Sequence, residues 1–564
     1  MKTEYILGLN GWFKRTHDAS ACLLANGEIV AMAEEERFIR SKHAFGKLPY
    51  NAITYCLNKA NITLDDVSKV GVGWNFKKLY STAGIEEPKL NNLAEVYFPK
   101  KIFEYNNAPN IELIDHHLAH AASSFFLSGF KNATIITLDG QGEDDSGSIA
   151  KGSNNHIEII QKLTIKDSLG FFYDAITQYL GFHFMSAGKT MGLSSYGYPK
   201  FKFNEFYLNN NGYRVNIKPR KNKPSNDHKP LDKEEMLSDT WLRLFTSRFG
   251  NLNKPKYIYN PTLSRSIKKL SFSQKQKDIA SSAQKTIEDV VTHLVKVATN
   301  KTECRNLCLS GGVALNCVMN GKLLRSGLID KIFIPPFPND IGVSAGAALL
   351  LSKNKPKKLF KTASLGPEFS NKQIKKVLDD YSINYKKVEN IELTVARLLH
   401  KGKIVSWFQG RMEVGPRALG NRSILGNPCL DDTHKKLNIA KDRENWRPLA
   451  PSFMAEKMDE YLENSADSSF MILSFKVKKM YQKRLPALVH IDGSTRPQSV
   501  HKETNPKYYK LIKYFEELSG FPVVMNTSFN GKGEPIVCNP YDALKSFYSN
   551  KTDFLAIGNF LIEK

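Results

Sequence analysis

The chain has few cysteines for its length and no long apolar run. Its seven cysteines among 564 residues are scattered and form no CxxC pair, which argues against a disulfide framework and a zinc ribbon. No apolar stretch reaches the length that spans a bilayer, and the N-terminal MKTEYILGLNGW starts directly as a strand, without a basic and then apolar signal region. We therefore expect a cytoplasmic protein with no membrane segment.

Positive charge is abundant, with a formal net charge of +24. Such an excess is typical of nucleic-acid-binding proteins, but anionic small substrates explain it as well. Much of it lies in NIKPRKNKPSNDHKP near residue 220 and in SKNKPKKLFKT near residue 355, which have the composition of solvated loops or linkers. We expect small anionic ligands and no nucleic-acid partner.

An approximate internal repeat organises the first part of the chain. YILGLNG, ASACLLA and EIVAMAEEER predict three antiparallel strands, and TIITLDG, SGSIAKG and HIEIIQKL repeat the pattern. The repeat predicts an α/β fold with two ribonuclease-H-like lobes, whose loops after the first strands meet around a nucleotide's phosphates. We place this domain at residues 1–354, a linker rich in Lys and Pro at 355–368, and a second α/β domain at 369–564.

A candidate metal site starts from two histidines four residues apart. His116 and His120 in IDHHLAHAASSFFL lie on one face of a predicted helix. Zinc proteases carry a catalytic Glu between such histidines, and its absence disfavours a protease. Asp139 and Asp340, at the ends of predicted strands, are candidate third ligands for ferrous iron, manganese or zinc. The alternative for the histidine pair alone is an ordinary helix with a core face and a surface face.

Several further residues are candidates for binding phosphate or moving a proton. Gly311 and Gly312 in LSGGVALN stand between a strand and a helix, where backbone N–H groups hold phosphates, although a tight corner needs the same glycines. His17 follows the first strand and its loop, and is a candidate general base. Lys42 and Lys189 are candidate contacts to an anion or ordinary surface charges; the GKT around Lys189 lacks the first glycine of a P-loop.

The second domain has four Gly- and Pro-rich turns. Three of them carry arginines, GRMEVGPRALGNRSIL, KDRENWRPLAP and HIDGSTRPQSV, and the fourth is NTSFNGKGEPIV. Arg417, Arg447 and Arg496 adjoin Pro or Gly, which stiffen the backbone, and a guanidinium offers planar donors that match phosphate oxygens. Asn526 and Ser528 in NTSFN supply neutral groups that orient an amide. Each arginine alone suits a salt bridge or an exposed position, whereas the set predicts a phosphate site.

The order of motifs resembles a known family. HDASA, EEERF, HHLAHA, DGQGE, GKTMGLSSYG, LSGGVALN, PNDIGVSAGAA, GPRALGNRS, RPLAP, DGSTRPQ and NTSFN follow one another as in the O-carbamoyltransferases of antibiotic and nodulation-factor biosynthesis. The resemblance covers nearly the whole chain. It implies a first domain similar to the threonylcarbamoyl-transferring tRNA-modification enzymes and a second domain similar to the YrdC adenylate-forming proteins.

The resemblance also implies an activity and its partners. The second domain would make carbamoyl adenylate from carbamoyl phosphate and ATP with release of pyrophosphate, and the first would transfer the carbamoyl group to a hydroxyl of a small-molecule acceptor, which we expect to be a natural product. Mg2+ would accompany the ATP, and Fe2+ would occupy the metal site of the first domain. The acceptor cannot be read from the sequence, and a homodimer stays open.

Site roles are carried over residue by residue from the same resemblance. The expected catalytic residues are His17 as the base toward the acceptor hydroxyl, Lys42 beside the adenylate, and Asp139 beside the metal, the adenylate or the acceptor. The expected metal ligands are His116, His120 and Asp340. The expected nucleotide and carbamoyl phosphate contacts are Gly311, Gly312, Asn316, Arg417, Lys441, Arg447, Arg496, Asn526 and Ser528.

Three rival classes remain. A tRNA threonylcarbamoyl-transferring enzyme would use a similar metal site and explain the positive charge, but the fused YrdC-like half argues against it. Hydrogenase-maturation carbamoyltransferases join the two domains in the reverse order and carry zinc-binding cysteine clusters, which this chain lacks. A non-catalytic ATP-dependent binding protein of the sugar kinase and heat-shock ATPase architecture would not need the C-terminal arginine turns.

Overall fold

The computed structural model describes residues 3–12, 16–83, 93–219, 237–252 and 272–564. These residues form a mixed α/β protein with two five-stranded sheets, one eight-stranded sheet and two smaller sheets. Most of the basic stretch near residue 220 lies outside the described residues. Among the helices that are described, none is long and apolar enough to cross a membrane.

The first five-stranded sheet has a central strand with antiparallel neighbours on one side and parallel neighbours on the other. Its strands are β1 (Tyr5–Asn10), β2 (Ser20–Ala25), β3 (Glu28–Glu34), β4 (Val67–Val72) and β5 (Ile111–Leu113). The order is β3-β2-β1-β4-β5, with β1 antiparallel to β2 and parallel to β4. Glu35, Glu36 and Arg37 begin a helix instead of extending β3.

The second five-stranded sheet repeats this arrangement. The strands that follow along the chain are β6 (Asn132–Leu138), β7 (Asp145–Ser153), β8 (His156–Thr164), β9 (Phe206–Asn209), β10 (Gly212–Val215), β11 (Asn306–Ser310) and β12 (Lys331–Phe333). The order is β8-β7-β6-β11-β12, with β6 antiparallel to β7 and parallel to β11, and β9 pairs with β10 alone. The two sheets therefore have the same strand order and the same strand directions around their central strands.

Helices cover these sheets. They are α1 (Glu35–Ile39), α2 (Tyr50–Ala60), α3 (Phe76–Ala83), α4 (Leu93–Tyr97), α5 (His116–Phe125), α6 (Leu169–Tyr179), α7 (Ala187–Ser194), α8 (Leu237–Phe249), α9 (Gln274–Thr302), α10 (Cys317–Leu324) and α11 (Ile341–Leu351). α11 consists of small and aliphatic residues and approaches its neighbours at backbone distance. A Cβ on Gly346 would lie 1.8 Å from the Ala119 carbonyl oxygen of α5, and one on Gly8 of β1 would lie 1.9 Å from that of Ser344. This close packing brings the N-terminal ends of α5 and α11 together.

The C-terminal part is built on the eight-stranded sheet, ordered β13-β23-β22-β14-β15-β21-β16-β20. Its strands and those of a three-stranded sheet are β13 (Lys386–Lys387), β14 (Val405–Phe408), β15 (Arg422–Gly426), β16 (Ala450–Met454), β17 (Leu462–Glu463), β18 (Phe475–Val477), β19 (Ser494–Thr495), β20 (Gln498–Val500), β21 (Val523–Ser528), β22 (Phe554–Ile557) and β23 (Phe560–Glu563). Its helices are α12 (Asn371–Asp380), α13 (Ile391–His400), α14 (Thr433–Ala440), α15 (Met458–Tyr461), α16 (Lys479–Gln482), α17 (Pro506–Ser519) and α18 (Pro540–Ser549).

The two parts share buried surface. One apolar cluster contains Leu309 and Phe337 of the first part together with Leu419 and Phe470 of the second. The segment expected as a linker is also packed, since the Leu365 carbonyl accepts hydrogen bonds from the Met32 N–H and the Tyr55 hydroxyl. The domain boundary at 354 and 369 stays a prediction, but the parts it separates are in extensive contact.

Candidate active site

Four side chains converge where α5, α11 and the end of β6 meet. His116 and His120 face each other from α5, with 3.1 Å between their Nε2 atoms. Asp340, directly before α11, has Oδ1 3.7 Å from each of these nitrogens. Asp139, directly after β6, has Oδ2 3.2 Å from His120 Nε2. One ligand atom from each residue lies within 4.8 Å of the others, so the cluster has the composition and spacing of a metal site.

The ionisable groups of this cluster favour the binding of a cation. Burial lowers the pKa of His116 to about 3, against the attraction of Asp340. Burial also opposes the charged form of His120, but hydrogen bonds to Asp139 and Asp340 raise its pKa to about 9. The proton on His120 thus compensates two buried carboxylates, and a metal ion supplies the same compensation when it replaces that proton.

The orientation of His116 is fixed by its neighbours. Its Nδ1 lies 3.2 Å from the Gly73 carbonyl oxygen, so Nδ1 donates there and leaves the Nε2 lone pair toward the cluster. The Trp74 ring lies against the imidazole, with 4.0 Å between centroids. Both Glu143 carboxylate oxygens accept from the His116 backbone N–H at 3.1 Å, which holds the first turn of α5. His116 is therefore positioned at both its ring and its backbone.

His17 lies at the edge of the metal cluster. Its Nδ1 is 3.2 Å from Asp18 Oδ2 and 3.9 Å from Asp340 Oδ2, and its side chain is 30% exposed. Burial opposes its charged form, yet Asp340 and Asp18 raise its pKa to about 10. A cation on Asp340 would oppose that rise because it places positive charge beside the imidazole. Asp18 also accepts from His43 Nδ1 at 2.9 Å and from Asn339 Nδ2 at 2.8 Å.

The two-glycine turn supports the metal cluster. Gly312 N–H donates to Asp139 Oδ2 at 3.0 Å, and Gly311 N–H donates to the Pro338 carbonyl at 2.7 Å, so both groups already have partners. Gly311 has φ +89°, and a Cβ there would lie 2.1 Å from the Leu138 carbonyl oxygen. Asn316 lies directly before α10, and its side chain caps the helix by accepting from the Met319 N–H at 3.1 Å. The role of these three residues in nucleotide binding stays a prediction.

The C-terminal turns bring several arginines together. Burial and the neighbouring charges of Arg496 and Arg447 lower the pKa of Arg417 to about 9. Arg443 belongs to the same group, since burial and then Arg447 and Arg496 lower its pKa. Within the described part of the chain, the guanidinium groups of Arg417 and Arg496 have no hydrogen bond or carboxylate partner. Such unpaired, partly buried cations form a candidate anion site.

Lys441, directly after α14, links two of the turns. Its Nζ donates to Ser528 Oγ at 3.0 Å and to Asn530 Oδ1 at 2.6 Å. Burial, followed by the charges of Arg443 and Arg447, lowers its pKa. Asn526 is buried in β21, donates from Nδ2 to the Ala418 carbonyl at 3.2 Å, and has an Oδ1 without a partner among the described residues. Asn526 therefore holds the backbone next to Arg417.

Cations of the first part face this anion site. Burial, opposed by Glu36, lowers the pKa of Lys42, and Arg447 contributes to the lowering. Lys189 of α7 forms an ion pair with Glu444 at 3.0 Å, and Glu444 lies 3.8 Å from Arg447. The cation cluster, defined as Lys42, Lys189, Arg417, Lys441, Arg443, Arg447 and Arg496, thus draws on both parts of the chain.

Family models account for most of the chain. The model described as the carbamoyltransferase N-terminus matches residues 78–349, and the model described as the carbamoyltransferase C-terminus matches residues 396–564. The chain belongs to the carbamoyltransferase family. The resemblance seen in the motifs is confirmed, and this carbamoyltransferase is an enzyme of carbamoyl transfer.

Relatives of this carbamoyltransferase extend over its length. An uncharacterized protein of Synechocystis sp. is 34% identical, over 99% of this chain and 97% of the relative. The nodulation protein NolNO of Sinorhizobium fredii is 33% identical, over 97% of this chain and 79% of the relative. Among solved structures, full-length HypF in the phosphate- and nucleotide-bound form gives a TM-score of 0.34 at 14% identity, covering 62% of this chain and 55% of HypF.

Sequence reasoning missed three charged residues of the site. Glu143 and Arg443 belong to motifs singled out in the sequence, DGQGE and KDRENWRPLAP, but neither is marked by its position in them. Asp174 of α6 faces Asp139 and His17, and has no sequence signal because it lies in an ordinary amphipathic helix. Only the fold brings it to the site.

Proposed function

We propose that this carbamoyltransferase activates carbamoyl phosphate with ATP in its C-terminal part and transfers the carbamoyl group to an alcohol at the metal cluster. The observation that carries the proposal is that the guanidinium groups of Arg417 and Arg496 have no partner among the described residues and are surrounded by further cations. A site of this charge suits several phosphate groups at once. We also propose a cytoplasmic location, where ATP is available.

The proposed activation consists of two successive reactions. Carbamoyl phosphate and water give carbamate and inorganic phosphate. A carbamate oxygen then attacks the α-phosphorus of ATP, a new O–P bond forms, and pyrophosphate leaves with the electrons of the broken bond. Arg417 and Arg496 bind the phosphates, while Lys441 neutralises charge that develops on the leaving group. Mg2+ accompanies the ATP.

The transfer step takes place at the first part of the chain. The acceptor oxygen attacks the carbamoyl carbon of the adenylate, the bond from that carbon to the phosphate oxygen breaks, and AMP leaves with the electron pair. His17 takes the proton of the acceptor hydroxyl. Lys42 balances the negative charge of the adenylate from the side of the cation cluster. Exclusion of water from the intermediate would prevent its hydrolysis.

A metal ion fits the cluster of His116, His120, Asp139 and Asp340. Two imidazole nitrogens and two carboxylates are the ligands that ferrous iron accepts, and we propose Fe2+. When bound, the ion polarises the carbonyl or phosphoryl oxygen of the intermediate. The matching five-stranded sheets fit the proposed duplicated ribonuclease-H-like lobes, and the C-terminal sheet fits the proposed YrdC-like domain.

Pyrophosphate release tests the activation step without any acceptor. Purified protein with ATP and Mg2+ is expected to release pyrophosphate only when carbamoyl phosphate is present. Arg417→Met and Arg496→Met are expected to lower kcat/KM for carbamoyl phosphate roughly ten- to a hundredfold each, because each removes charged hydrogen bonds.

Arg305→Met is the matched control. Arg305 is an exposed arginine paired with Asp330 at 2.8 Å and is not a member of the cation cluster, so its removal is expected to leave turnover intact. Pyrophosphate release that ignores carbamoyl phosphate, or equal rates in all variants, would contradict the proposal. ATP binding without any turnover would instead favour the non-catalytic binding protein.

A further inference from the structure

The turn that carries Arg417 is held by side chains, since it has neither helix nor strand of its own. This Arg417 turn comprises residues 414–421, between Glu413 and β15. The carbonyls of three successive residues accept hydrogen bonds from buried side chains of three other strands: Ala418 from Asn526, Leu419 from Gln498 and Gly420 from Trp407. The backbone of the turn is therefore tied to the eight-stranded sheet at several points.

One carboxylate binds three backbone N–H groups at the end of this turn. Glu413 is buried, with 1% of its surface exposed. Its Oε1 accepts from the N–H groups of three residues: Leu419 at 2.8 Å, Asn421 at 2.7 Å and Arg422 at 3.1 Å. Hydrogen bonds to a charged acceptor are stronger than those between neutral groups. Because Glu413 directly precedes the turn and these donors lie at its end, the carboxylate closes the Arg417 turn on itself.

The Glu413 carboxylate serves the backbone and not a cation. In the part of the chain that is described, Glu413 forms no ion pair, and its Oε2 has no hydrogen-bond partner. Its charge acts on Arg422 without a direct contact: burial lowers the pKa of Arg422 to about 10, and Glu413 opposes that change. Fixing the conformation of the turn is thus the contact that Glu413 makes in this structure.

The position of Arg417 depends on the backbone because its side chain has nothing to hold it in place. The guanidinium has no partner among the described residues, and the charges of Arg496 and Arg447 oppose it. Like charges repel, so these neighbours drive the Arg417 side chain out of the cation cluster when no anion is bound. What keeps Arg417 there is the turn to which it is attached.

We infer that Glu413 is a positioning residue for carbamoyl phosphate, which keeps the Arg417 turn in its binding conformation before the substrate arrives. The inference rests on the proposed function of the cation cluster. A turn that is already ordered removes from binding the cost of ordering it. If the turn were loose, the substrate would have to order it, which raises KM. Once bound, the phosphate holds the guanidinium, so kcat is affected less.

Two conservative substitutions separate the reach of Glu413 from its charge. Glu413→Asp keeps the charge, but the shorter side chain no longer reaches the three N–H groups. Glu413→Gln loses the charge and keeps an oxygen at the same reach. In pyrophosphate release, Glu413→Asp is expected to raise KM for carbamoyl phosphate roughly tenfold and to lower kcat less than about threefold. Glu413→Gln is expected to keep KM within about twofold of the wild type.

Binding without turnover gives a second measurement. By titration calorimetry, the Kd of pyrophosphate is expected to rise in Glu413→Asp and to stay within about twofold in Glu413→Gln. A milder variant covers the case in which Glu413→Asp does not fold. Ser423 Oγ accepts from the Gly420 N–H at 3.1 Å. Ser423→Ala releases this donor of the Arg417 turn, and it is expected to raise KM and Kd roughly two- to threefold.

Asp167 supplies the matched control. It is a buried carboxylate of the first part that accepts from the Val215 N–H at 2.8 Å and is not attached to the Arg417 turn. Asp167→Ala is expected to lower the midpoint of urea unfolding and to leave KM and Kd unchanged.

Three results would overturn the inference: a KM and Kd that do not respond to Glu413→Asp or, where that variant does not fold, to Ser423→Ala; an equal rise in Glu413→Gln; or an equal rise in Asp167→Ala. If the wild type releases no pyrophosphate in response to carbamoyl phosphate, the proposed function fails, and the Kd values for pyrophosphate still decide the positioning role.

Discussion

Single side chains decide whether the cluster of His116, His120, Asp139 and Asp340 holds a metal ion. Protein loaded with Fe2+ under anaerobic conditions and then dialysed is expected to retain one ion per chain by elemental analysis. His120→Ala is expected to weaken retention more than about a hundredfold, since loss of even an outer-shell partner costs ten- to a hundredfold.

The neighbouring histidine supplies the control for this loss. His117 is also buried on α5, but its ring nitrogens have no hydrogen bond among the described residues and it lies outside the cluster. His117→Ala is expected to keep the ion. Equal loss from both variants would show that damage to α5, not removal of a ligand, explains the result.

A separate residue pair carries a pH dependence of stability. His501 Nε2 lies 2.9 Å from Asp467 Oδ1, and this hydrogen bond raises the pKa of His501 although burial opposes it. A raised histidine pKa stabilises the fold below the unfolded pKa near 6.5, and the contribution disappears as pH rises through the folded value.

His501→Gln tests this dependence. Because both side chains are at least one third exposed, the stabilisation is expected to be less than about 1 kcal/mol. Urea unfolding at pH 5.5 is expected to show that the variant has lost this part of the free energy of unfolding. At pH 9 the variant and the wild type are expected to have the same free energy of unfolding. A loss of equal size at both pH values would mean that packing, and not charge, is responsible.

Residue spacing could predict only part of the candidate site. His116 and His120 were predicted because four residues along a helix return to the same face, a relation that the local chain determines. Asp174 could not be predicted, because its relation to His17 depends on how α6 packs on the turn after β6. Arg443 lies between Lys441 and Arg447 in sequence, but which of these side chains face one another depends on contacts between turns.

At the scale of elements, the junction of β3 and α1 in the first part binds a turn of the second part. The Gly415 N–H donates to Glu34 Oε1 at 2.8 Å, and Arg37 Nη2 donates to the Gly415 carbonyl at 2.8 Å and to Glu34 at 3.0 Å. Gly415 has φ +103°, and a Cβ there would lie 2.3 Å from the Pro336 carbonyl oxygen. The buried ion pair therefore positions the turn that carries Arg417.

Removing one partner of this ion pair is expected to cost more than removing both. Arg37→Met leaves the buried Glu34 uncompensated, and unfolding in urea is expected to show a loss of about 3–5 kcal/mol. The double variant Glu34→Leu with Arg37→Met is expected to recover most of that loss. The double variant still lacks the side-chain hydrogen bonds to the Gly415 N–H and carbonyl. Its KM for carbamoyl phosphate in pyrophosphate release is therefore expected to stay raised.

Arg40→Met is the control on the same segment. Arg40 binds the Ile536 and Pro535 carbonyls at 2.7 and 2.8 Å and is partly exposed, so its loss is expected to cost less than the loss of Arg37. A double variant no more stable than Arg37→Met alone would contradict the role given to the buried charge.

The strands of the first part were largely predictable, since apolar alternation and turn residues are local. TIITLDG, SGSIAKG and HIEIIQKL do form β6, β7 and β8. The end of β3 was predicted too late, because Glu35 and Glu36 begin α1 instead of extending the strand, and Glu34, the last residue of β3, accepts from the Gly415 N–H. The contact with Gly415 cannot be inferred from the sequence of β3 and α1, because its partner belongs to the C-terminal part.

At the scale of the whole molecule, the cation cluster joins the two parts. Lys42 and Lys189 come from the first part and the five others from the second, with Glu444 paired to Lys189 at 3.0 Å. Like charges held together repel one another and oppose closure of the interface. A bound polyanion removes that repulsion, so ligand binding and association of the two parts are coupled.

Pyrophosphate is therefore expected to stabilise the protein as one unit. At a concentration one hundred times its Kd, a ligand adds about 2.7 kcal/mol to the stability of the state that binds it. Scanning calorimetry is expected to show a single transition that moves upward with pyrophosphate, and not with chloride at equal ionic strength. Lys42→Met is expected to reduce the shift, although Lys42 lies outside the C-terminal part. Two transitions, of which pyrophosphate moves only one and Lys42→Met neither, would mean that the C-terminal turns bind phosphate alone. A single shared shift would mean that the anion is held between the parts, which is where an intermediate must lie if it is to pass from one to the other.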